Sequence, residues 1–245
     1  MVDEKQITEE LLAFGRSIAS EELFPTVVKE AAPLIADDSY AFAIACCLDR
    51  GTKAEIIWTI PYYMKKDLGH LDPKLIYRMS LDELTALFQR LPRRPRYVSD
   101  APKTIHDLTR IVVEECDGDA ANLWKGKPAA EVNRTFMSIH GVGSGIANMT
   151  VLLIEAAFRI RFSDLDHTHM DIKPDVHTMK VLYRLGVSKA EITDAAIEAT
   201  RRMNPSFPGE LDAPLWALGR KWCFASEPNC LECPLNTSCG HHFLG

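Results

Sequence analysis

The sequence predicts an all-α protein, and three observations support this fold class. Apolar residues recur at i, i+3 and i+4 through most of the chain, which is the spacing of an amphipathic helix. Helix-start signals such as Ser80 before Leu81 recur, and breakers such as Leu91-Pro92 separate the periodic stretches. No stretch alternates apolar and polar residues for long enough to build a sheet.

The predicted helices follow one another with short connections. Leu71-Asp72-Pro73 ends one of them, Asp100-Ala101-Pro102 opens another, and a Pro- and Gly-rich segment at 204–209 precedes the last. The sequence shows no internal repeat and no low-complexity segment. The predicted bounds are 4–20, 22–35, 39–48, 53–66, 81–90, 102–116, 129–138, 144–158, 176–185, 189–203 and 211–223.

Composition places the chain among ordinary soluble globular proteins. It has 245 residues, of which 47% are hydrophobic and 25% are charged. No apolar run reaches the length of a membrane span, and the acidic, helix-like N-terminus does not resemble a signal peptide. We therefore expect a cytoplasmic protein in a reducing compartment, without a membrane partner.

The net charge of −6 argues weakly against a nucleic-acid partner. Net charge is a poor guide when basic residues cluster, and three arginines share the loop at 92–97, namely Arg93, Arg94 and Arg96. A local basic face on an acidic protein remains compatible with this distribution, although any one of these residues alone is typical of solvated surface.

Four cysteines near the end of the sequence form the pattern C-x6-C-x2-C-x5-C: Cys223, Cys230, Cys233 and Cys239. Structural zinc sites usually bring in two close pairs, whereas this pattern has one, so a single loop around a four-iron cluster fits better. The alternatives are a zinc site or two disulfides, and a reducing compartment disfavours the disulfides. Cys46, Cys47 and Cys116 lie in apolar or helical contexts typical of buried thiols.

A Gly-rich turn at 139–148 joins two predicted helices. Gly141 and Gly143 allow a tight turn and close approach of a ligand to the backbone. The following helix directs free N–H groups and its positive dipole end at this turn, an arrangement that binds phosphate without basic side chains. A purely structural helix–turn–helix corner is the alternative. A dinucleotide fingerprint is excluded because no strand precedes the glycines.

Three motifs together resemble the helix–hairpin–helix DNA glycosylases of the endonuclease III type. That family has a hairpin of the form L-P-G-V-G-x-K-T-A-N, then a catalytic aspartate in a D-x-H segment, and finally the same cysteine spacing around a 4Fe–4S cluster. Here the hairpin is Ile139–Asn148 and the aspartate segment is Pro174-Asp175-Val176-His177. The resemblance covers roughly residues 39–240.

The resemblance implies two helical lobes with a DNA-binding cleft between them. A six-helix barrel-type domain at 30–157 would contain the hairpin, and residues 1–29 with 158–245 would form the iron–sulfur cluster domain. The implied partner is double-stranded DNA with a damaged or mismatched base, bound by a monomer. The cofactor would be a 4Fe–4S cluster held by the four cysteines. The implied DNA-binding residues in the hairpin are His140, Gly141, Val142, Gly143, Ser144 and Gly145.

Asp175 is the predicted catalytic residue. An aspartate that opens a helix is often only an N-cap, but the corresponding residue of the family acts in breaking the N-glycosidic bond. Departure of the base leaves positive charge on the sugar, which a nearby carboxylate stabilises or relieves by activating water. Asp171 is the fallback carboxylate.

The sequence departs from the family at the residue that forms a Schiff base in bifunctional members. That lysine follows the second hairpin glycine by two residues, where this chain has Gly145, so we expect a monofunctional glycosylase. A bifunctional glycosylase/AP lyase is an alternative, but it would need Lys173 or Lys180 in the pocket, and Lys180 suits a solvated helix face. A non-catalytic iron–sulfur protein that binds DNA structures or senses redox state is another alternative, as is a zinc-stapled interaction module.

The loop at 47–53 departs from the family too. It lacks the usual glutamines, so Leu48 or Arg50 is the candidate wedge that fills the gap left by a flipped base. Trp58, Tyr62 and Tyr63 follow at helical spacing, which is more typical of core packing than of a base pocket. The His- and Asp-rich stretch at 164–171 reads as a polar loop rather than a metal site, because its histidines lack i, i+4 pairing.

Overall fold

The computed structural model describes residues 2–243, and within them it contains helices and no strand, which confirms the predicted all-α class. Short 3-10 turns occur at Ser20–Leu23, Ala120–Leu123, His167–His169, Pro208–Leu211 and Cys230–Glu232. The α-helices, in chain order, are α1 Glu4–Ser17, α2 Ala31–Asp37, α3 Ser39–Leu48, α4 Ala54–Ile57, α5 Ile60–Leu68, α6 Pro73–Tyr77, α7 Leu81–Arg90, α8 Ala101–Glu115, α9 Ala129–Met137, α10 Ser144–Phe158, α11 Val176–Leu185, α12 Thr193–Met203 and α13 Asp212–Lys221.

Prolines explain three of the places where the helices differ from the predicted ones. The stretch predicted as one helix at 22–35 splits into a 3-10 turn and α2, because Pro25 lacks an N–H and restricts the residue before it. The stretch at 53–66 splits into α4 and α5, with Pro61 in the first turn of α5. The helix α6 was not predicted. Asp72 caps it and Pro73 is its first residue.

The chain forms two compact units, Ser20–Leu165 and Met1–Ala19 with Asp166–Gly245. The boundaries expected from the resemblance were 29/30 and 157/158. The 3-10 turn at Ser20–Leu23 packs on α10, and the Ser20 hydroxyl donates to the Ala157 carbonyl at 2.7 Å. These contacts explain why the segment from Ser20 joins the unit that contains α10.

The Ser20–Leu165 unit is built around α3, which is buried along nearly its whole length. Phe42 of this helix makes ring contacts with Phe24, Trp58, Trp124 and Phe158. Trp58 is therefore a core residue, and Cys46, Cys47 and Cys116 are buried free thiols, as predicted.

No single helix within residues 2–243 is both long and apolar enough to cross a bilayer. The helices α2 and α3 reach that length and hydropathy only as a pair, bent by 112° at their junction.

The second unit packs α1, α11, α12 and α13 around a core that includes Leu11, Leu182 and Leu215. The helices α11 and α13 share the most extensive contact of this unit, and three of the terminal cysteines pack at the edge of its core. The N-terminus of α11 and the cysteine loop are thus both fixed to one set of helices.

Candidate functional site

The hairpin ends in a helix N-terminus that has no side-chain cap. Gly141 adopts the left-handed conformation with φ +78°, and the Val142 amide donates to the Ile139 carbonyl at 3.0 Å to close the turn. Gly143 is the N-cap of α10 and supplies no capping side chain. No other described residue accepts a hydrogen bond from the amides of Gly143, Ser144 and Gly145. These N–H groups fit a phosphate oxygen.

The hairpin residues divide into exposed and buried ones. Gly141, Gly143, Ser144 and Gly145 are exposed. Val142 is only 6% exposed and its side chain packs in the core of its unit, so only its backbone is left for the predicted DNA contact, which stays a prediction. The apolar side chain instead anchors the turn that presents the glycines.

Arg50 lies against the hairpin. A Cβ at Gly141 would overlap the guanidinium of Arg50, which is the flexible end of its side chain, so the positive φ angle is the stronger requirement for glycine. Arg50 Nη2 donates to Thr104 Oγ1 at 3.2 Å, and that hydroxyl donates to the His140 carbonyl at 2.8 Å. Arg50 thus supports the turn, and it also lies 5.8 Å from the centre of the Tyr97 ring.

Leu48 does not have the position expected of a wedge. It is the last residue of α3 and only 1% exposed, because nearly the whole of this helix is buried in the core of its unit. Leu48 is therefore buried in this structure, and of the two wedge candidates Arg50 is the one that lies next to the hairpin.

Two carboxylates flank His140. The Asp107 carboxylate accepts from the His140 amide at 3.0 Å, and Asp100 Oδ1 lies 3.6 Å from Nε2 of its imidazole. His140 is therefore fixed at the start of the hairpin by contacts to α8 and its N-cap.

Asp175 is the N-cap of α11. One of its carboxylate oxygens accepts from the amides of His177 and Thr178, both at 2.8 Å, and the Thr178 hydroxyl accepts from the Asp175 amide at 2.9 Å. This capping box holds the half-buried carboxylate in one orientation. None of the described residues donates a hydrogen bond to its second oxygen, which is thus available to a ligand.

The other predicted carboxylate and lysines are placed differently. Asp171 forms a bidentate ion pair with Arg201, with distances of 2.7 and 2.6 Å, so it is already engaged. Lys173 is exposed, two residues before Asp175. Lys180 is only 8% exposed, and burial lowers the pKa of its ammonium group. The expectation that Lys180 lies on a solvated helix face is wrong, because α11 packs against other helices of its unit on that side.

The stretch at 164–171 is a polar loop. His169 Nδ1 lies 2.8 Å from Asp166, the Thr168 amide donates to the same carboxylate, and the His167 ring packs edge-on against Phe207. In the part of the chain that the structure describes, no three His, Cys, Asp or Glu side chains are grouped as a ready-made site for a metal ion.

The four terminal cysteines line one apolar pocket, together with Leu185, Leu218 and Leu235 of the surrounding helices and loop. All four thiols are free and partly buried. Burial raises the pKa of the Cys233 and Cys239 thiols, and the negative charge of the neighbouring cysteines adds to this effect. Positively charged iron ions bound between the cysteines would counteract this rise in pKa by stabilising the thiolates.

Arg184 connects this loop to the helix that begins at Asp175. Its guanidinium donates to the carbonyls of Phe224 and Ala225 at 2.6 and 2.8 Å, and Nη1 lies 3.5 Å from Cys223 Sγ. Its Nε is buried with no hydrogen-bond partner within residues 2–243. Sequence reasoning missed Arg184, because its partners lie about forty residues further along the chain.

The four cysteines are not grouped as a ready-made metal site among the described residues, but they line one pocket whose surroundings suit an anionic iron–sulfur cluster. The cysteines supply four sulfur ligands to one pocket, the His241 amide donates to Cys239 Sγ at 3.4 Å, and the buried Arg184 supplies positive charge and an unpaired donor. Hydrogen bonds to the sulfurs and a low-polarity surrounding are what such clusters require of a protein.

Comparison with known proteins identifies the fold. No protein-family model matches the sequence, and no curated protein matches it. Solved structures do match over nearly its whole length. A trapped endonuclease III–DNA covalent intermediate, an estranged-adenine complex, is 17% identical with a TM-score of 0.54, over 98% of this chain and 97% of that one.

Two further structures agree. A non-covalent endonuclease III–DNA complex gives the same identity, TM-score and coverage. A thermostable thymine-DNA glycosylase is 16% identical with a TM-score of 0.53, over 97% of this chain and 95% of that one. The chain therefore has the all-α fold of endonuclease III and of this thymine-DNA glycosylase, as its sequence predicted.

Proposed function

We propose that this protein is a DNA glycosylase that hydrolyses the N-glycosidic bond of a damaged or mismatched base, with Asp175 as its catalytic carboxylate. One observation carries the proposal. At the N-terminus of α11 a carboxylate is oriented by two amide hydrogen bonds through one oxygen, while its other oxygen has no partner among the described residues. The structures that share the fold are a thymine-DNA glycosylase and complexes of endonuclease III with DNA, which supports the same class of substrate.

The chemistry assigned to Asp175 follows from charge. As the bond to the base breaks, positive charge develops on the sugar, and a fixed carboxylate nearby stabilises it without reorganising. The second oxygen of Asp175 would face that charge or accept a proton from the attacking water. The capping box with Thr178 fixes this orientation in the folded protein, before any substrate binds.

The hairpin is assigned to the DNA backbone. The amides of Gly143, Ser144 and Gly145 would hold one phosphate at the positive end of the α10 dipole. Such a contact positions the duplex and carries no sequence information. The target nucleotide must leave the stack to reach a carboxylate, and we assign Arg50, whose guanidinium lies next to Gly141, to the position that the base vacates.

We propose the monofunctional class because the hairpin has no amine at the Schiff-base position. Gly145 occupies the position at which the resemblance places the Schiff-base lysine, and a Cβ there would meet nothing within 4 Å. The half-buried carboxylate of Asp175 can direct water but cannot form the covalent imine that strand cleavage requires.

We propose that Cys223, Cys230, Cys233 and Cys239 hold a 4Fe–4S cluster with a structural role. Such a cluster supplies folding free energy to the loop that binds it. Freshly purified protein should be brown with absorbance near 400 nm, and Cys233→Ser should lose that absorbance. A colourless protein containing one zinc ion would contradict the assignment.

The function is tested with a panel of duplexes, each containing one damaged or mismatched base. Base release is scored as strand breaks after alkali, and lyase activity as strand breaks without it. We expect alkali-dependent breaks on at least one duplex and none without alkali. Absence of product on every duplex, with DNA binding intact, would favour a non-catalytic DNA-binding protein instead.

A further inference from the structure

Asp212 lies next to the segment that leads into Asp175. It is the first residue of α13, and its Oδ1 accepts a hydrogen bond from the Lys173 amide at 2.7 Å. It does not cap its own helix, so its carboxylate is directed at residue 173, which is 39 residues earlier in the chain. This hydrogen bond fixes the backbone two residues before the proposed catalytic carboxylate.

The same stretch of chain holds the segment at two further points. The Gly209 amide donates to the Met170 carbonyl at 2.7 Å, and Arg201 pairs with Asp171 through both carboxylate oxygens. A Cβ at Gly209 would lie 2.9 Å from the Met170 carbonyl oxygen, so the two backbones are in close contact. The segment at 170–173 is therefore fixed on one side by residues 201–212.

The carboxylate of Asp212 is costly to keep ionised at this position. Burial raises its pKa to about 6, and the negative charge of Asp175 adds to this effect, while the Lys173 amide acts in the opposite direction. The hydrogen bond from the Lys173 amide is the contact that offsets part of this unfavourable ionisation.

We infer that Asp212 is a positioning residue, which holds the 170–174 segment so that Asp175 is presented in one place as well as in one orientation. The capping box fixes Asp175 relative to α11, whereas the Asp212–Lys173 hydrogen bond fixes the chain that enters it. This inference rests on the proposed function, since it assigns Asp212 to the reaction of Asp175. Misplacement of a reacting group by about 1 Å can cost about 100-fold in rate.

The test compares Asp212→Ala with Asp212→Asn in the full chain. Asparagine keeps an acceptor oxygen for the Lys173 amide, whereas alanine removes it. Asp194→Ala is the control, because Asp194 is an exposed aspartate that also lies in the first turn of a helix but has no contact with residue 173. Single-turnover base release, duplex affinity and hydrogen exchange of the Lys173 amide are measured for each variant.

We expect Asp212→Ala to slow base release by about 10- to 100-fold with duplex affinity within about threefold of the wild type. Asp212→Asn and Asp194→Ala should remain close to the wild type. The Lys173 amide should exchange slowly in the wild type and in Asp212→Asn but rapidly in Asp212→Ala. Equal losses in the alanine and asparagine variants would overturn the inference, because the acceptor would not be what matters.

Hydrogen exchange separates this inference from the proposed function. If no duplex yields a product, the proposed function fails, while exchange at Lys173 still reports whether Asp212 holds the segment. If Asp212→Ala does not fold, the wild type decides the question, because a rapidly exchanging Lys173 amide in the folded protein would overturn the inference without any variant.

Discussion

The helices α10 and α11 begin in opposite ways. The N-terminus of α10 has Gly143 as its cap, so the first amides of the helix lack a side-chain partner. The N-terminus of α11 has Asp175, whose carboxylate takes up the amides of His177 and Thr178. One helix end is left open to an external anion, and the other orients an anion of the protein itself. We propose that the first helix end binds phosphate and that the second serves catalysis.

The largest expected effect comes from removing the charge at the closed helix end. Asp175→Asn should lower single-turnover base release by at least about 100- to 1,000-fold, because the developing charge on the sugar loses its partner. Asparagine caps helices about as well as aspartate, so the free energy of unfolding should change by less than about 0.5 kcal/mol. Duplex binding, measured by fluorescence anisotropy, should be retained. A variant that still releases base would move the catalytic role to another residue.

Closing the open helix end is the converse experiment. Gly143→Asp should weaken duplex binding by roughly tenfold or more, because the new carboxylate would take up the α10 amides and repel phosphate. The backbone at Gly143 has φ −95° and a Cβ there would meet nothing within 4 Å, so the residue fits. Thermal stability should rise slightly, since aspartate is a better N-cap than glycine.

Gly143→Ser is the control for this variant. Serine caps the helix without adding charge, so it should lose less affinity than aspartate does. If both variants bind DNA as well as the wild type, the open end of α10 does not contact phosphate.

A lysine at the open end tests the assignment to the monofunctional class. Gly145→Lys places an amine where the surrounding space is empty, and it should confer weak strand cleavage without alkali on a substrate that the wild type only deglycosylates. Borohydride should trap a covalent adduct of this variant with DNA. Gly145→Gln, of similar length, should show neither effect. Strand cleavage by the wild type would contradict the assignment.

The smallest expected effect concerns pH at the closed end. Asp212 has a pKa of about 6 in the folded protein, above the value of about 3.9 for an unfolded aspartate, so the folded state binds its proton more tightly. Asp212 therefore lowers the free energy of unfolding as pH rises from about 4 to about 6, and its contribution is constant above that range. Asp212→Asn should be more stable than the wild type at pH 7.5 by roughly 1 to 3 kcal/mol, and this difference should vanish near pH 4.

Urea unfolding of both proteins at several pH values measures this difference. Asp194→Asn, at an exposed position in the first turn of α12, is the control for the substitution itself. A difference between Asp212→Asn and the wild type that does not change between pH 4 and 7.5 would show that Asp212 is not the titrating group.

The sequence was sufficient for features that depend on neighbouring residues. The bounds of α3, α7, α10 and α11 agree with the predicted ones, because capping residues and apolar spacing are local. The glycines of the hairpin and the helix-opening position of Asp175 were predicted for the same reason. Helix breaks at Pro25 and before Pro61 were missed, although prolines mark them.

Features that depend on distant residues were beyond the sequence. Leu48 and Val142 have the chemistry of a wedge and of a turn residue, but the packing of their unit buries both. The sequence pattern predicted a solvated helix face for Lys180, but the packing of α11 against other helices leaves this residue buried. The start of α13 was predictable, because Asp212-Ala213-Pro214 has the same residues as the helix start at Asp100. The contact of Asp212 with Lys173 was not, because it joins two parts of the chain 39 residues apart.

The division of the chain into a continuous and a discontinuous unit has a consequence for biosynthesis. Residues Ser20–Leu165 can fold as soon as they leave the ribosome, whereas α1 must wait until residues from 166 onward have been translated. At about 5 to 20 residues per second, this delay lasts several seconds. A nascent chain would therefore display the hairpin before Asp175 is in place, and α1 would expose its apolar face in the meantime. Pausing or truncation of translation after residue 165 should yield a folded fragment that contains the hairpin and lacks the carboxylate.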